Sequence, residues 1–248
     1  MSSTDLKADG AAAVAVLTAP HRGLALAIER RRSLTAILIA TAASLTFAAV
    51  AAPRLDFDKA VAAQLEMAPS SAEMTPFQRE EAVVQGRKIG AVGIYAGSAF
   101  SPALSVLVAA FFLWVAFKVA GTAPPFKGTL AVAAHGLLPV LLVPLLLLPA
   151  IIAKAPVDPM GLARLLPSNL GAFLPERSSP ILLAAATSID LFSLWAVVLL
   201  TLGMASLTGA SKRRAATVVG LLWLAHICLL RIAPAAAMAA ARGMAGGA

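Results

Sequence analysis

Five polar side chains inside long apolar stretches of this sequence are candidates for any membrane chemistry. They are Asp190, His226, Arg231, His135 and Ser188. Ionisable residues inside apolar segments are costly, so they are functional candidates by default. They predict either a proton or ion relay or a set of hydrogen bonds that hold helices together.

The predicted depths of these side chains decide which of them can meet. Counted along their predicted helices, Asp190 and His226 lie at about the same depth, Arg231 lies about 7 Å nearer one face, and His135 lies about 6 Å nearer the other. We therefore expect Asp190 to contact His226 first. Asp190, His135 and His226 are suitable ligand types for a metal, but their spacing matches no ligand pattern. Neither a metal nor a cofactor is predicted.

The motifs that accompany enzyme chemistry are missing from the sequence. It contains no phosphate-binding GxxxxGK[ST], no zinc-binding HExxH and no nucleophile GxSxG. Only one acid, Asp190, lies within a predicted span, so the paired acids of an aspartyl protease are excluded. Cys228 is the single cysteine. No catalytic residue is predicted, and the chain is not expected to be an enzyme.

The composition indicates that lipid surrounds most of the chain. Of its 248 residues, 60% are hydrophobic and 13% are charged, and the mean hydropathy is +0.87. A soluble domain carries about 25% charged residues. The net charge of +8 then favours anionic headgroups as a partner over nucleic acid, which is not expected to bind.

Five apolar runs are long enough to cross a hydrocarbon core of roughly 30 Å, which needs about 20 residues per helix. The sequence therefore predicts an all-α integral membrane protein, a bundle of five transmembrane helices. Pro102 is predicted at the first position of a helix, whereas Pro139 and Pro144 lie inside a span, where neighbouring helices tolerate them. The predicted spans are residues 34–52, 102–120, 128–153, 181–207 and 215–238.

Cations near the span ends determine the predicted orientation. With a cytoplasmic N-terminus, the inner segments hold ten Lys and Arg and three acids, whereas the outer segments hold ten cations and eight acids. The short loops 118–127 and 209–215 contain cations and no acid. The prediction is a cytoplasmic N-terminus and an external C-terminus.

Outside the spans, the sequence predicts tails and short outer-side helices. Residues 1–33 are expected to be a cytoplasmic tail, disordered at first and then forming an interfacial helix. In the polar loop 53–88, one short helix is predicted over Asp56–Met67. Thr75 and Gln78 form a capping box that begins a second, Gln78–Lys88. Residues 241–248 are expected to be a flexible tail.

Several short motifs occur in a recognisable order. An Ala-Pro pair at 19–20 precedes the basic segment, and span three opens with Phe-Lys-Gly-Thr-Leu at 126–130 and reaches Leu-Pro at 138–139. Span four contains Ser-Ile-Asp-Leu-Phe-Ser-Leu-Trp at 188–195 and Leu-Gly at 202–203. Over about residues 19–234, the chain resembles the membrane domain of the Yip family, five-span proteins that interact with Rab GTPases, in its bacterial branch. The residues matching the family pattern are Lys127, Pro139, Asp190, Phe192 and Trp195.

The resemblance implies a helical membrane domain with a cytoplasmic N-terminus and, for a bacterial member, an inner-membrane location. Eukaryotic members are associated with Rab GTPases and vesicle traffic. This sequence lacks their Asp-Leu-Tyr-Gly-Pro type of motif before span one. The family implies no catalytic role for the span-four residues.

Two functions stay open at this point. The first is a non-enzymatic scaffold of the membrane that organises lipid, a membrane-protein partner or a second copy of itself, with Asp190 joining helices. The second is a small transporter or channel component that uses Asp190 together with the membrane histidines. The lipid bilayer is the expected partner in both cases.

Overall fold

The fold is entirely helical in the part of the chain that the computed structural model describes, residues 3–30, 33–67, 73–175 and 178–245. Two isolated bridges, Leu55 with Val157 and Asn169 with Asp190, are the strand-like pairs within these ranges. The helices are α1 (Ser3–Thr18), α2 (Pro20–Arg30), α3 (Leu34–Ala51), α4 (Phe57–Met67), α5 (Pro76–Val119), α6 (Phe126–Gly136), α7 (Leu138–Leu141), α8 (Val143–Lys154), α9 (Pro180–Ser188), α10 (Leu191–Thr208), α11 (Lys212–Ile227) and α12 (Ala233–Ala245).

The first two helices form a hairpin that packs onto the bundle. Val16 and Leu24 are buried against Leu199 of α10, and a Cβ added at Gly23 would lie 2.3 Å from the backbone of Val16. Helix α1 occupies a segment that the sequence predicted to be disordered. It is ordered because Ala13 and Val16 are buried against distant helices. The interfacial position of α2 stays a prediction. Arg31 and Arg32 lie outside the described residues.

Helix α3 lies within the first predicted span and is long and apolar enough to cross a membrane, and its last turn continues as a 3-10 turn to Arg54. Val157, which follows α8, accepts a backbone hydrogen bond from Asp56 and donates one to Arg54, both at 2.9 Å. The chain ends of α3 and α8 are thereby joined. The buried side chains at this junction are Ala51, Leu55, Ile151 and Val157.

Helix α5 begins with the predicted capping box. Thr75 Oγ1 accepts from Gln78 N at 3.2 Å, and Gln78 Oε1 accepts from Thr75 N at 2.8 Å. The helix then continues for 44 residues, so the predicted second loop helix and the second span are one element. Pro102 lies buried inside α5 and not at a helix start, because a single missing donor does not stop an otherwise uniform helix.

At 1.5 Å per residue, α5 is about 66 Å long, roughly twice the hydrocarbon thickness. Its first half packs against α4. A Cβ at Gly86 would lie 2.7 Å from Val61, and Arg87 Nη1 pairs with Asp58 Oδ2 at 3.1 Å. We call the side of the bundle with α4 the loop end.

The third span is bent by 47° between α6 and the α7–α8 segment. The breaks precede Pro139 and Pro144, at Leu137 and Leu142. A proline ring clashes with the carbonyl four residues earlier and removes one donor. The sequence predicted both prolines inside a span, and they account for the positions of the breaks.

The fourth predicted span is two helices, α9 and α10, separated by Ile189 and Asp190. The fifth is continuous over residues 212–240. It passes through a π-helical segment, Cys228–Ile232, between α11 and α12. Of the expected tail 241–248, the first residues belong to α12 and residues 246–248 lie outside the described part.

Four helices in the described chain are long and apolar enough to cross a membrane, and the bent third segment makes up to five. The predicted class, an all-α membrane helix bundle, is confirmed. A buried cluster joins α3, α5, α6, α10 and α11. Its largest side chains include Phe117, Leu138, Met204 and Val219.

Candidate functional site

Asp190 is the N-cap of α10. Its backbone is extended, with φ −127° and ψ 158°. Its Oδ1 accepts hydrogen bonds from Phe192 N at 2.9 Å and from Ser193 N at 3.0 Å. An aspartate at this position satisfies donors that have no partner within the helix and places a negative charge at the positive end of the helix dipole. The carboxylate therefore has a defined structural task.

The loop that precedes α9 in the chain supplies the other hydrogen bonds at the break between α9 and α10. Leu191 N donates to Ser168 O at 3.0 Å, and Leu170 N donates to Ile189 O at 3.2 Å. The first three donors of α10 are thus bonded: one to the loop and two to Asp190. These bonds matter because a backbone donor without a partner is costly away from water.

Asn169 and Gly171 shape this loop. Asn169 is buried, and its Oδ1 accepts from Ala172 N at 3.0 Å, which begins a short 3-10 turn. A Cβ at Gly171 would lie 2.3 Å from Thr187 Cγ2 of α9. A residue with any side chain would not fit at Gly171 without a shift, so glycine permits this approach.

The two serines beside Asp190 bond within their own segment. Ser188 is buried, and its Oγ donates to Ala184 O at 2.7 Å. Ser193 Oγ donates to Asp190 O at 3.1 Å and lies 3.4 Å from Ser188 O. The structure therefore brings Asp190, Ser188 and Ser193 together in one hydrogen-bonded turn.

The depths expected for Asp190 and His226 rested on a continuous fourth span, and the break changes them. Helix α10 has 18 residues and is about 27 Å long, which is enough to cross most of the hydrocarbon alone. Asp190 is at its end, not halfway. Measured from Lys212, His226 lies about 21 Å along and Arg231 about 28 Å, so Arg231 has the height closest to Asp190.

The remaining candidates lie on other helices. His135 is 2% exposed, inside α6, and its Nδ1 lies 2.9 Å from Ala131 O. His226 at the end of α11 and Arg231 in the π-helical segment are both exposed, and α9 packs against that segment. The described residues contain no group of three or more His, Cys, Asp or Glu arranged to hold a metal ion.

The family-pattern residues occupy structural positions in three helices. Lys127 is exposed in the first turn of α6, and Pro139 is buried in the first turn of α7. Phe192 follows the cap of α10. Trp195 packs against the buried cluster formed by Val16, Leu24 and Leu199. Sequence reasoning missed this contact between Trp195 and the N-terminal hairpin, because it joins segments far apart in the chain.

The fold and these positions define a class: a multi-pass α-helical membrane protein with a polar-capped break at the start of one crossing helix. The family described as Yip1 domain matches residues 14–232. The chain belongs to the Yip1 domain family. No curated protein and no solved structure matches it.

Proposed function

We propose that this chain is a non-enzymatic scaffold of the bacterial inner membrane, which organises lipid or a membrane-protein partner. The observation that carries the proposal is the position of the Asp190 carboxylate, whose Oδ1 is bonded to two backbone donors of α10. Both donors are backbone amides, so this contact requires no proton transfer. It stabilises the backbone at a helix start.

The apolar surface of α5 supports the partner-binding part of this proposal. Leu104, Leu107, Phe111 and Phe112 are all exposed on this helix. Lipid chains cover such a surface in a bilayer, and a second helix can replace them. A membrane-protein partner or a second copy of the chain therefore has a long helix to pack against.

The proposed orientation places the N-terminus in the cytoplasm and the C-terminus outside. It is supported by the cations of the loops 118–127 and 209–215, which contain no acid. Reporter fusions at Gly209 and at Gln64 test it: they should report opposite sides of the membrane. Reporters on the same side would contradict the orientation.

Replacement of Asp190 by asparagine tests the scaffold against the transporter. Asparagine keeps an oxygen that caps a helix and cannot titrate. In proteoliposomes, D190N should leave both the folded fraction and the proton flux unchanged. Crosslinking with mass spectrometry in native membranes should recover the same partners.

The matched control is Asp56→Asn, because Asp56 Oδ1 caps α4 by accepting from Lys59 N at 2.9 Å outside the apolar segments. A pH-dependent flux through the unmodified chain that disappears in D190N and persists in D56N would contradict the scaffold and favour a transporter.

A further inference from the structure

A cluster of cations lies opposite the loop end, where the short loops 118–127 and 209–215 meet. Every member of the cluster is exposed, and neither loop contains an acid. We call this cluster the basic end. Its members are Lys118, Lys127, Lys212, Arg213 and Arg214.

A contact between the two loops holds the basic end together. Arg214 Nη2 donates to Ala120 O, at the end of α5. Gly121 has a positive φ of 79°, and a Cβ there would lie 3.3 Å from Arg214 Nη2. The start of α11 is therefore fixed against the end of α5, which concentrates positive charge from both loops on one surface.

An aromatic wall descends from the basic end along α5 and α6. Lys118 Nζ lies 3.9 Å from the centroid of the Trp114 ring. The Phe126 ring meets Trp114 edge-on at 5.9 Å, and the centroid of Phe111 lies 6.5 Å from that of Trp114. Phe126 is 38% exposed and Phe111 is 50% exposed, so the wall is open to the surrounding lipid.

We propose that the basic end and this wall bind an anionic phospholipid of the bilayer. The lipid phosphate contacts Lys118 and Lys127, and an acyl chain lies along Trp114 and Phe111. Each Lys near an anionic headgroup contributes about 1 kcal/mol, and basic pockets between membrane helices bind such headgroups. The wall selects a lipid over a free phosphate, because a free phosphate has no apolar part to cover it. The site does not depend on the scaffold function.

Quenching of Trp114 by lipids with brominated acyl chains tests the proposal in bilayers that contain the full chain. Trp195→Phe with Trp223→Phe leaves Trp114 as the single tryptophan. Brominated phosphatidylglycerol should reach half-maximal quenching at a mole fraction about thirtyfold lower than brominated phosphatidylcholine, since two lysines contribute. If this background does not fold, the difference between the chain with and without Trp114→Phe gives the same signal.

Lys118→Gln with Lys127→Gln should lower the preference for phosphatidylglycerol over phosphatidylcholine below about twofold. Lys88→Gln with Lys154→Gln, which removes the same charge from the first half of α5 and from the end of α8, should leave the preference unchanged. Equal quenching by the two lipids, or an equal loss in both pairs of variants, would overturn the proposal. If the first pair does not fold, Lys127→Gln alone must at least halve the preference, and no change in that variant would also overturn it.

Discussion

Two membrane segments of this chain are broken, and they are broken in different ways. The break between α6 and α7 precedes a proline and lies in the buried core, where Leu138 and Pro139 are both buried. The break between α9 and α10 contains no proline and is polar, with Asp190 at its centre. Both lie along α10, since Leu200 of that helix faces the first break and Asp190 begins the helix.

The difference shows two ways to satisfy backbone groups without water. At the first break, local hydrogen bonds continue on both sides: Leu137 N donates to Ala133 O and Leu141 N to Leu137 O, each at 3.0 Å. At the second, a side chain and a distant loop supply the partners. Packing should therefore dominate the first break and specific polar contacts the second.

The largest effect is expected from Gly136→Val at the first break. A Cβ at Gly136 would lie 2.7 Å from Leu200 Cδ2 and 3.4 Å from Leu200 N, so the Leu200 side chain would have to move, and the γ-methyls of valine extend further toward α10. We expect a loss of about 3 kcal/mol in the free energy of unfolding, as for other overpacked cores. Unfolding in mixed micelles measures it.

Gly97→Val is the control, because a Cβ at Gly97 has no atom within 4 Å. A similar loss in both variants would show that valine in a membrane helix, and not contact with Leu200, is the cause.

Gly171→Ala should weaken the second break by about 1–2 kcal/mol. Its Cβ would lie 2.3 Å from Thr187 Cγ2, and Thr187 cannot turn away freely because its Oγ1 donates to Leu183 O at 2.8 Å. Thermal unfolding in detergent measures the change. Gly161→Ala in the same loop, where the nearest atom to the new Cβ is 4.0 Å away, should have almost no effect. If Gly171→Ala left the stability unchanged, the close contact between this loop and α9 would not contribute to the stability of the break.

The first break can be explained from the sequence more easily than the second, for a physical reason, although the sequence predicted one continuous span in both places. Pro139 and Pro144 act locally, so their effect can be predicted from the residues alone, as can the capping box of Thr75 and Gln78. Asp190 has the residue type of an N-cap, but the uniformly apolar run around it favoured one continuous helix. The next residue, Leu191, donates its backbone hydrogen bond to Ser168, more than twenty residues earlier, and no periodicity indicates such a pair.

The same limit explains the other differences in the fold. The burial of Val16 depends on Leu199, far along the chain, and its own segment gives no signal of it. The membrane class and the number of apolar runs were predictable because they depend on local composition. The grouping of Asp190 with Ser188 was predictable from their spacing. The separation of both from His135 was not.

Asp190→Ala should cost about 1 kcal/mol, the usual loss of an N-cap. Alanine leaves Phe192 N and Ser193 N without their side-chain acceptor. The measurement is the unfolding free energy of D190A beside that of D190N, which should retain most of the stability. If D190N lost as much as D190A, the negative charge and not the hydrogen bonds would hold the break.

The smallest effect on stability is expected from Pro139→Ala with Pro144→Ala. This double substitution should instead change the angle between α6 and the α7–α8 segment. Both substitutions restore a donor and remove a ring clash, so the 47° bend should relax toward a straight helix. Spin labels at Lys127→Cys and Lys154→Cys, in a Cys228→Ala background, should move about 3 Å further apart, since the two segments are about 16 and 25 Å long.

Pro149→Ala is the matched control for that distance, because Pro149 lies inside α8 without a break. The label distance should not change in this variant. If the distance stayed fixed in the double variant as well, contact with α10 and not the prolines would maintain the bend. The first break would then resemble the second, in which a partner element holds the chain in its broken form.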